Sequence, residues 1–145
     1  MTDRTVPRIA SWLGYLGLIP FLACAVGLWL APGRLHGLIL YSLLTYSVII
    51  LAFLGAVHWG LAMREGGITA PQQLIVSVIP ALTGWIALAL PPTWGFTILI
   101  IAFGLQFVAD VLATKRGLAP SWYPRLRAPL TIGVILSLLV SVALL

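Results

Sequence analysis

Charged residues are scarce in this chain: they make up 8% of its 145 residues, and only three of them are acidic. A soluble domain typically carries about 25% charged residues, so this sequence offers too little polar surface to cover a globular core in water. Hydrophobic residues account for 61% of the chain. The composition therefore predicts an all-α, polytopic membrane helix bundle that occupies residues 1–145 as one domain, without a soluble module.

Cysteine and recognisable catalytic motifs are also scarce or absent. Cys24 is the only cysteine, which excludes an intramolecular disulfide. The sequence has no His-Glu-x-x-His pair, no glycine-rich phosphate loop and no Gly-x-Ser-x-Gly motif. His36 and His58 are expected at opposite membrane interfaces, so they cannot share a metal ion. We therefore predict no catalytic residue, no metal and no cofactor. The sequence favours a protein without enzymatic activity, although a His–Asp pair could still exchange protons.

Long runs without a charged residue are what the sequence does contain. They cover residues 9–33, 35–63, 66–109 and 128–145. About 20 apolar residues cross a bilayer as a helix, so the run 66–109 is long enough to cross twice. Pro91 and Pro92 mark the turn, because proline removes a backbone donor and disfavours helix in the preceding residue. The sequence thus predicts five spans, at residues 9–31, 36–62, 72–90, 94–113 and 128–145.

The basic residues are distributed unevenly between the two sides of these spans. One side carries only Arg34. The other side, which includes the N-terminus, carries Arg4, Arg8, Arg64, Lys115, Arg116, Arg125 and Arg127. Positively charged loops stay in the cytoplasm, so we predict a cytoplasmic N-terminus in a bacterial inner (plasma) membrane. Topology and contact with membrane lipid then account for the net charge of +5 without a nucleic-acid partner.

Two ionisable side chains interrupt the apolar spans: His58 in the second and Asp110 in the fourth. Polar groups are costly inside a membrane, so each is a candidate functional residue. Each lies about five residues before the charged end of its span, at Arg64 or Lys115, which places both roughly 7 Å inside the cytoplasmic boundary. Gln106 lies one helical turn from Asp110 on the same face. We expect these side chains to form a polar pocket in the inner leaflet.

Such a pocket suggests binding of a hydrophobic small molecule or a lipid. Trp59 and Tyr15 would provide its walls, and Arg125 or Arg127 would contact an anionic group. The predicted ligand-binding residues are His58, Trp59, Gln106, Asp110, Tyr15, Tyr123, Arg125 and Arg127.

Other interpretations of the same residues stay open. In a purely structural one, Asp110 pairs with Arg116 or Arg127 at the headgroups, and His58 bonds to a backbone carbonyl. A second interpretation is a proton or small-ion pathway through the His–Asp pair, and a third is assembly into a larger membrane complex.

Small residues recur every four positions at Ala52, Ala56 and Gly60. This spacing favours close helix packing within one chain or between copies, so a homo-oligomer also stays open.

Two sequence blocks resemble those of a known family. One is Phe-Leu-Gly-Ala-Val-His-Trp-Gly at 53–60, and the other is Trp-Tyr-Pro-Arg-Leu-Arg-Ala-Pro-Leu-Thr at 122–131. Over nearly its whole length the chain resembles a family of small bacterial and mitochondrial membrane proteins that includes transmembrane protein 69 and is classed as of unknown function. The resemblance implies a five-span membrane protein without an established activity. The matching motif positions are His58, Trp59, Gly60, Trp122, Tyr123, Arg125 and Arg127.

Overall fold

Helices make up all the regular secondary structure of the described residues. The computed structural model describes residues 5–65 and 70–145. Helix α1 (Arg8–Leu30) is followed by a 3-10 turn (Gly33–Leu35), α2 (His36–Glu65), α3 (Ala70–Ala89), α4 (Pro92–Lys115) and α5 (Tyr123–Val142). Each of the five α-helices is long and apolar enough to cross a membrane. The prediction of an all-α bundle with five spans is confirmed.

Proline and glycine fix the two boundaries of α4. Pro91 precedes the helix and Pro92 occupies its first turn, where a missing backbone donor costs nothing. This is the predicted fold-back between the third and fourth spans. After α4, Gly117 has a φ of 76°, a left-handed conformation that favours glycine. The amide of Leu118 then donates to the carbonyl of Ala113 at 2.9 Å, as is typical of a glycine-terminated helix.

Helix α5 begins at Tyr123, earlier than the predicted start at residue 128. The prediction followed the charge-free run and therefore left Arg125 and Arg127 outside the span. Pro124 fits the first helical turn, and Arg127 is accommodated because it has an ionic partner within the bundle. The two arginines thus belong to the fifth helix itself.

Helix α2 lies at the centre of the bundle, in contact with α1, α3 and α4, while α5 packs against α1 and α4. A close approach of α3 to α2 depends on Gly55, because a Cβ at this position would collide with the backbone carbonyl oxygen of Ser77. Gly55 lies less than one helical turn from His58, so this close contact places the beginning of α3 beside His58. The shared apolar core includes Phe21, Leu43, Leu51, Phe96, Leu99, Phe103 and Leu138.

Nearly all the basic residues lie at one end of the bundle, which we call the basic end. Helices α1 and α5 both begin here, since a Cβ on Gly14 would touch the side chains of Leu126 and Leu130. Arg64, in the last turn of α2, donates to the carbonyl oxygen of Leu118 at 2.8 Å. Arg4 lies outside the described residues, and the cytoplasmic location of this end stays a prediction. The described basic residues here are Arg8, Arg64, Lys115, Arg116, Arg125 and Arg127, against Arg34 at the other end.

Candidate functional site

His58 on α2 and Asp110 on α4 face each other inside the basic end. Nε2 of His58 and Oδ1 of Asp110 are 2.7 Å apart, and the two residues are only 1% and 0% exposed. Because a carboxylate oxygen can only accept, Nε2 of the imidazole carries the proton of this bond. Helices α2 and α4 run in the same direction, so the similar depth of the two residues becomes a direct contact.

Asp110 is the centre of a closed polar cluster. Its Oδ1 also accepts from Nε2 of Gln106, one turn earlier on α4, at 3.2 Å. Its Oδ2 accepts from Nε of Arg127 on α5 at 2.9 Å. A buried carboxylate is tolerated when its charge is paired and its lone pairs are occupied. Both oxygens of Asp110 meet these conditions.

Gln73 on α3 completes the cluster, and the sequence reasoning missed it. Its side-chain amide contacts Nδ1 of His58, and the residue is buried. With Nε2 donating to Asp110, Nδ1 is the acceptor of this second bond. A signal was present in the sequence, since Gln73 lies in the first turn of α3, beside the last turns of α2. The polar cluster, which ties α2, α3, α4 and α5 together, consists of His58, Gln73, Gln106, Asp110 and Arg127.

Two of the remaining predicted residues, Trp59 and Tyr15, lie apart from the polar cluster. Trp59 and Tyr15 are 47% and 50% exposed. They lie on the outer surface of the bundle, so the expectation that they wall a pocket around His58 does not fit the structure. Arg125 is also exposed, and Tyr123 is half-buried at the start of α5. The buried His58 and the exposed Trp59 thus point in different directions although they are adjacent in sequence.

The ion pair of the structural interpretation is formed by Arg127. It lies within the bundle rather than at the headgroups, since Arg127 is 7% exposed. The expected bond from His58 to a backbone carbonyl is wrong, because both ring nitrogens are used by the side chains of Asp110 and Gln73.

Among the described residues, no group of three or more His, Cys, Asp or Glu side chains is placed to hold a metal ion.

An apolar cavity of about 360 Å³ adjoins the polar cluster, between α1, α2 and α5 in the half of the bundle near the basic end. Arg127 and Tyr123 line it, whereas His58, Gln106 and Asp110 do not. The predicted polar pocket is therefore two adjoining features, a closed polar cluster and an apolar cavity, and Arg127 belongs to both. The apolar walls include Leu13, Gly14, Gly17, Phe53, Val57 and Leu130.

Three buried polar groups on α5 have no hydrogen-bond partner among the described residues: the Tyr123 hydroxyl, Nη2 of Arg127 and Oγ1 of Thr131. They are spaced four residues apart, so they follow one face of the helix. Buried polar groups in folded proteins are normally paired. Tyr123 and Arg127 also line the cavity, so two of these unpaired groups belong to side chains that border it.

Comparison with known proteins places this architecture in a family. Residues 6–143 match the family described as "Protein of unknown function (DUF3429)". The chain is 31% identical over 137 residues to transmembrane protein 69 of Xenopus tropicalis, covering 93% of this chain and 54% of that protein. It is 26% identical over 142 residues to transmembrane protein 69 of Mus musculus, covering 95% and 57%.

The chain thus spans about half the length of the curated relatives it matches. No solved structure matches it. The resemblance inferred from the His-Trp-Gly block is confirmed by these relatives. Together with the five apolar helices, they show that the chain is a multi-pass integral membrane protein and belongs to the DUF3429 family.

Proposed function

We propose that this membrane protein binds a hydrophobic small molecule or a membrane lipid in the cavity between α1, α2 and α5. The observation that carries the proposal is the cavity itself, about 360 Å³ with an almost entirely apolar wall. Pockets that hold small molecules measure roughly 300–1,000 Å³. An acyl chain or a similar molecule would supply the dispersion contacts that the wall atoms otherwise lack.

The half of α1 that forms one wall of this cavity contains no fully buried residue. The buried residues of α1 lie from Phe21 onward. Leu13, Gly14 and Gly17, which line the cavity, all precede Pro20. Proline removes a helical hydrogen bond and is a common site of bending. A bend at Pro20 would open a lateral route from the membrane for an apolar molecule, and it would have to break the contact of Gly14 with α5 and the bond from the Tyr46 hydroxyl to the Gly17 carbonyl oxygen.

The polar cluster holds the opposite walls in place. Through Asp110, it connects His58 on α2 to Arg127 on α5, and these two helices form the rest of the cavity. The bonds hold the first turns of α5 against α4 and fix the Arg127 side chain at the cavity wall. In this proposal the cluster shapes the binding site, and the ligand itself contacts Arg127 and the apolar wall.

A hexadecane probe that carries a photoreactive diazirine tests the proposal. Purified protein in dodecyl maltoside micelles is illuminated at increasing probe concentrations, and the adducts are mapped by mass spectrometry. We expect saturable adducts on the cavity-lining residues of α1, α2 and α5. Labelling that rises linearly with probe concentration and spreads evenly over all five helices would contradict cavity binding.

Two glycine substitutions provide a matched pair for this experiment. A Cβ on Gly17 would meet only the Tyr46 hydroxyl, at 3.9 Å, and Gly17 lines the cavity, so Gly17→Leu should fill the space and abolish saturable labelling. Gly104→Leu makes the same change on α4, where a Cβ would have nothing within 4 Å and which lies outside the cavity. This control should label like the wild type.

A proton pathway is a second candidate function. The supporting observation is that His58 bridges a carboxylate and an amide in a buried site, where an imidazole can take up and release a proton. Toward the other end of α5, Ser137 and Ser141 are buried but donate to carbonyls of their own helix. A pH-gradient flux assay in liposomes should distinguish wild type from His58→Ala, and equal flux would remove this candidate.

The membrane and orientation belong to the same proposal. Six described basic residues lie at the basic end and Arg34 lies at the other. By the positive-inside rule, this asymmetry supports an inner-membrane protein whose N-terminus and polar cluster lie on the cytoplasmic side. Labelling of single cysteines introduced at Arg34 and Lys115 of a Cys24→Ser protein, with a membrane-impermeant maleimide on intact cells, should modify only the position at 34. Modification at 115 alone would reverse the orientation.

A further inference from the structure

The groups without partners on α5 indicate what kind of molecule the cavity takes. We infer that the ligand is an amphipath with an anionic oxygen head group, a carboxylate or a phosphate, that is bound by Arg127 and Tyr123 while its tail lies in the cavity. This inference rests on the proposed function and narrows it to one chemical class of ligand.

The unsatisfied chemistry at the cavity wall is that of donors. Arg127 is 7% exposed, and its Nη2 has no hydrogen-bond partner among the described residues; the same is true of the Tyr123 hydroxyl. A guanidinium has N–H donors and no acceptor, and a phenol donates one proton. The partner that both groups can share is therefore an acceptor. Both residues line the same cavity and lie one helical turn apart, so a head group at this wall adjoins both side chains and can bind both once their buried donor atoms turn toward it.

The charge distribution favours an anion over a neutral acceptor. Asp110 binds Arg127 through Nε alone, and the same carboxylate also accepts from His58 and Gln106. Among the described residues that line the cavity, Arg127 is the only charged one and none is acidic. Guanidinium nitrogens bind carboxylate and phosphate oxygens with short, charge-assisted bonds. An anionic head group thus completes the coordination of Arg127 without displacing Asp110.

Arg125 has a different environment although it is only two residues away. It is exposed and does not line the cavity, because residues two apart on a helix do not face the same side. The expectation from sequence that Arg125 or Arg127 contacts an anionic group is thereby narrowed to Arg127. Arg125 becomes the matched control for it, and the exposed Tyr15 becomes the control for Tyr123.

Competition against the photoreactive hexadecane tests the inference. The competitors are palmitate, hexadecyl phosphate, hexadecylammonium and plain hexadecane, which share a tail of similar length and differ in head group. For wild type, we expect palmitate or hexadecyl phosphate to compete roughly tenfold or more better than hexadecane, and hexadecylammonium no better, as for charge-assisted bonds inside a protein. A preference for palmitate would indicate that the head group comes from a free fatty acid. A preference for hexadecyl phosphate would indicate that it comes from a phospholipid.

Tyr123→Phe is the decisive variant, because the hydroxyl has no partner to lose among the described residues and the fold should be unaffected. It should reduce the preference for the anionic competitor several-fold, while Tyr15→Phe leaves it unchanged. Arg127→Gln should abolish the preference and Arg125→Gln should not. If all competitors act equally and Tyr123→Phe has no effect, the inference is overturned while cavity binding stands. If no probe labels the cavity saturably, the proposed function fails and the inference fails with it.

Discussion

Removing the charge of Asp110 should destabilise the bundle more than any other single change in the polar cluster. Asp110→Asn keeps the shape of the side chain but leaves the buried Arg127 guanidinium without a counter-ion. It also weakens the bonds from His58 and Gln106, which now end on a neutral amide. Breaking a buried ion pair by neutralising one partner typically costs about 3–5 kcal/mol. We expect a loss of that size in the free energy of unfolding, measured in mixed dodecyl maltoside and dodecyl sulfate micelles by circular dichroism.

A double-mutant cycle separates the ion pair from the other bonds of Asp110. Arg127→Gln alone should also be strongly destabilising, because it leaves the carboxylate buried with only neutral or histidine partners. The double variant Asp110→Asn/Arg127→Gln contains neither buried charge, so its loss should be smaller than the sum of the two single losses by about 1–3 kcal/mol. The half-buried Thr97, which lies outside the polar cluster and whose hydroxyl donates to its own helix, gives Thr97→Ala as a control near zero. Additive single losses, or an Asp110→Asn protein as stable as the control, would refute the buried ion pair.

Two further predictions concern stability and use the same unfolding measurement. Gln73→Leu should cost about 1–3 kcal/mol of unfolding free energy, because Nδ1 of His58 is left without a donor. The control Gln72→Leu changes the preceding, exposed residue and should be near neutral. Equal effects of the two variants would show that Gln73 does not hold the imidazole. Gly55→Ala should cost about 1–3 kcal/mol because the new Cβ overpacks against the backbone of α3. The control Gly104→Ala has open space at its Cβ and should be more stable by up to about 1 kcal/mol, through helix propensity. A stable Gly55→Ala protein would mean that α2 and α3 are not in close contact at this position.

The depth of a residue in the membrane could be predicted from the sequence, and this placed His58 and Asp110 at the same level without showing whether they face each other. Position along a helix is linear in residue number, and the charged residues mark where each span ends. The fold-back at Pro91 and Pro92 then makes the second and fourth spans run the same way. Span number, direction and depth all follow from these features, because a bilayer imposes a fixed length on every helix that crosses it.

The rotation of each helix about its axis could not be predicted in the same way. In water, the apolar stripe of a helix marks its buried face, but in a membrane both the core and the lipid are apolar. The apolar residues of α2 are accordingly spread almost evenly around the helix. His58 is therefore buried while the adjacent Trp59 is half-exposed, and Tyr15 has the right depth on the wrong face of α1. Gln73 is uncharged and lies at the start of α3, so its position in the sequence does not show that its side chain points into the bundle.

The ion pair is best explained by its position beside the cavity. A buried pair is seldom more stable than apolar residues of the same size, so stability alone gives little reason to place Arg127 and Asp110 inside an apolar bundle. The pair does something that apolar residues cannot. Asp110 neutralises the cation from one side, through Nε, and leaves Nη2 without a protein partner among the described residues. His58, Gln73 and Gln106 hold the carboxylate in that position. In the proposed function, the cluster therefore keeps a cation in an apolar wall, where it binds the anionic head group of the ligand.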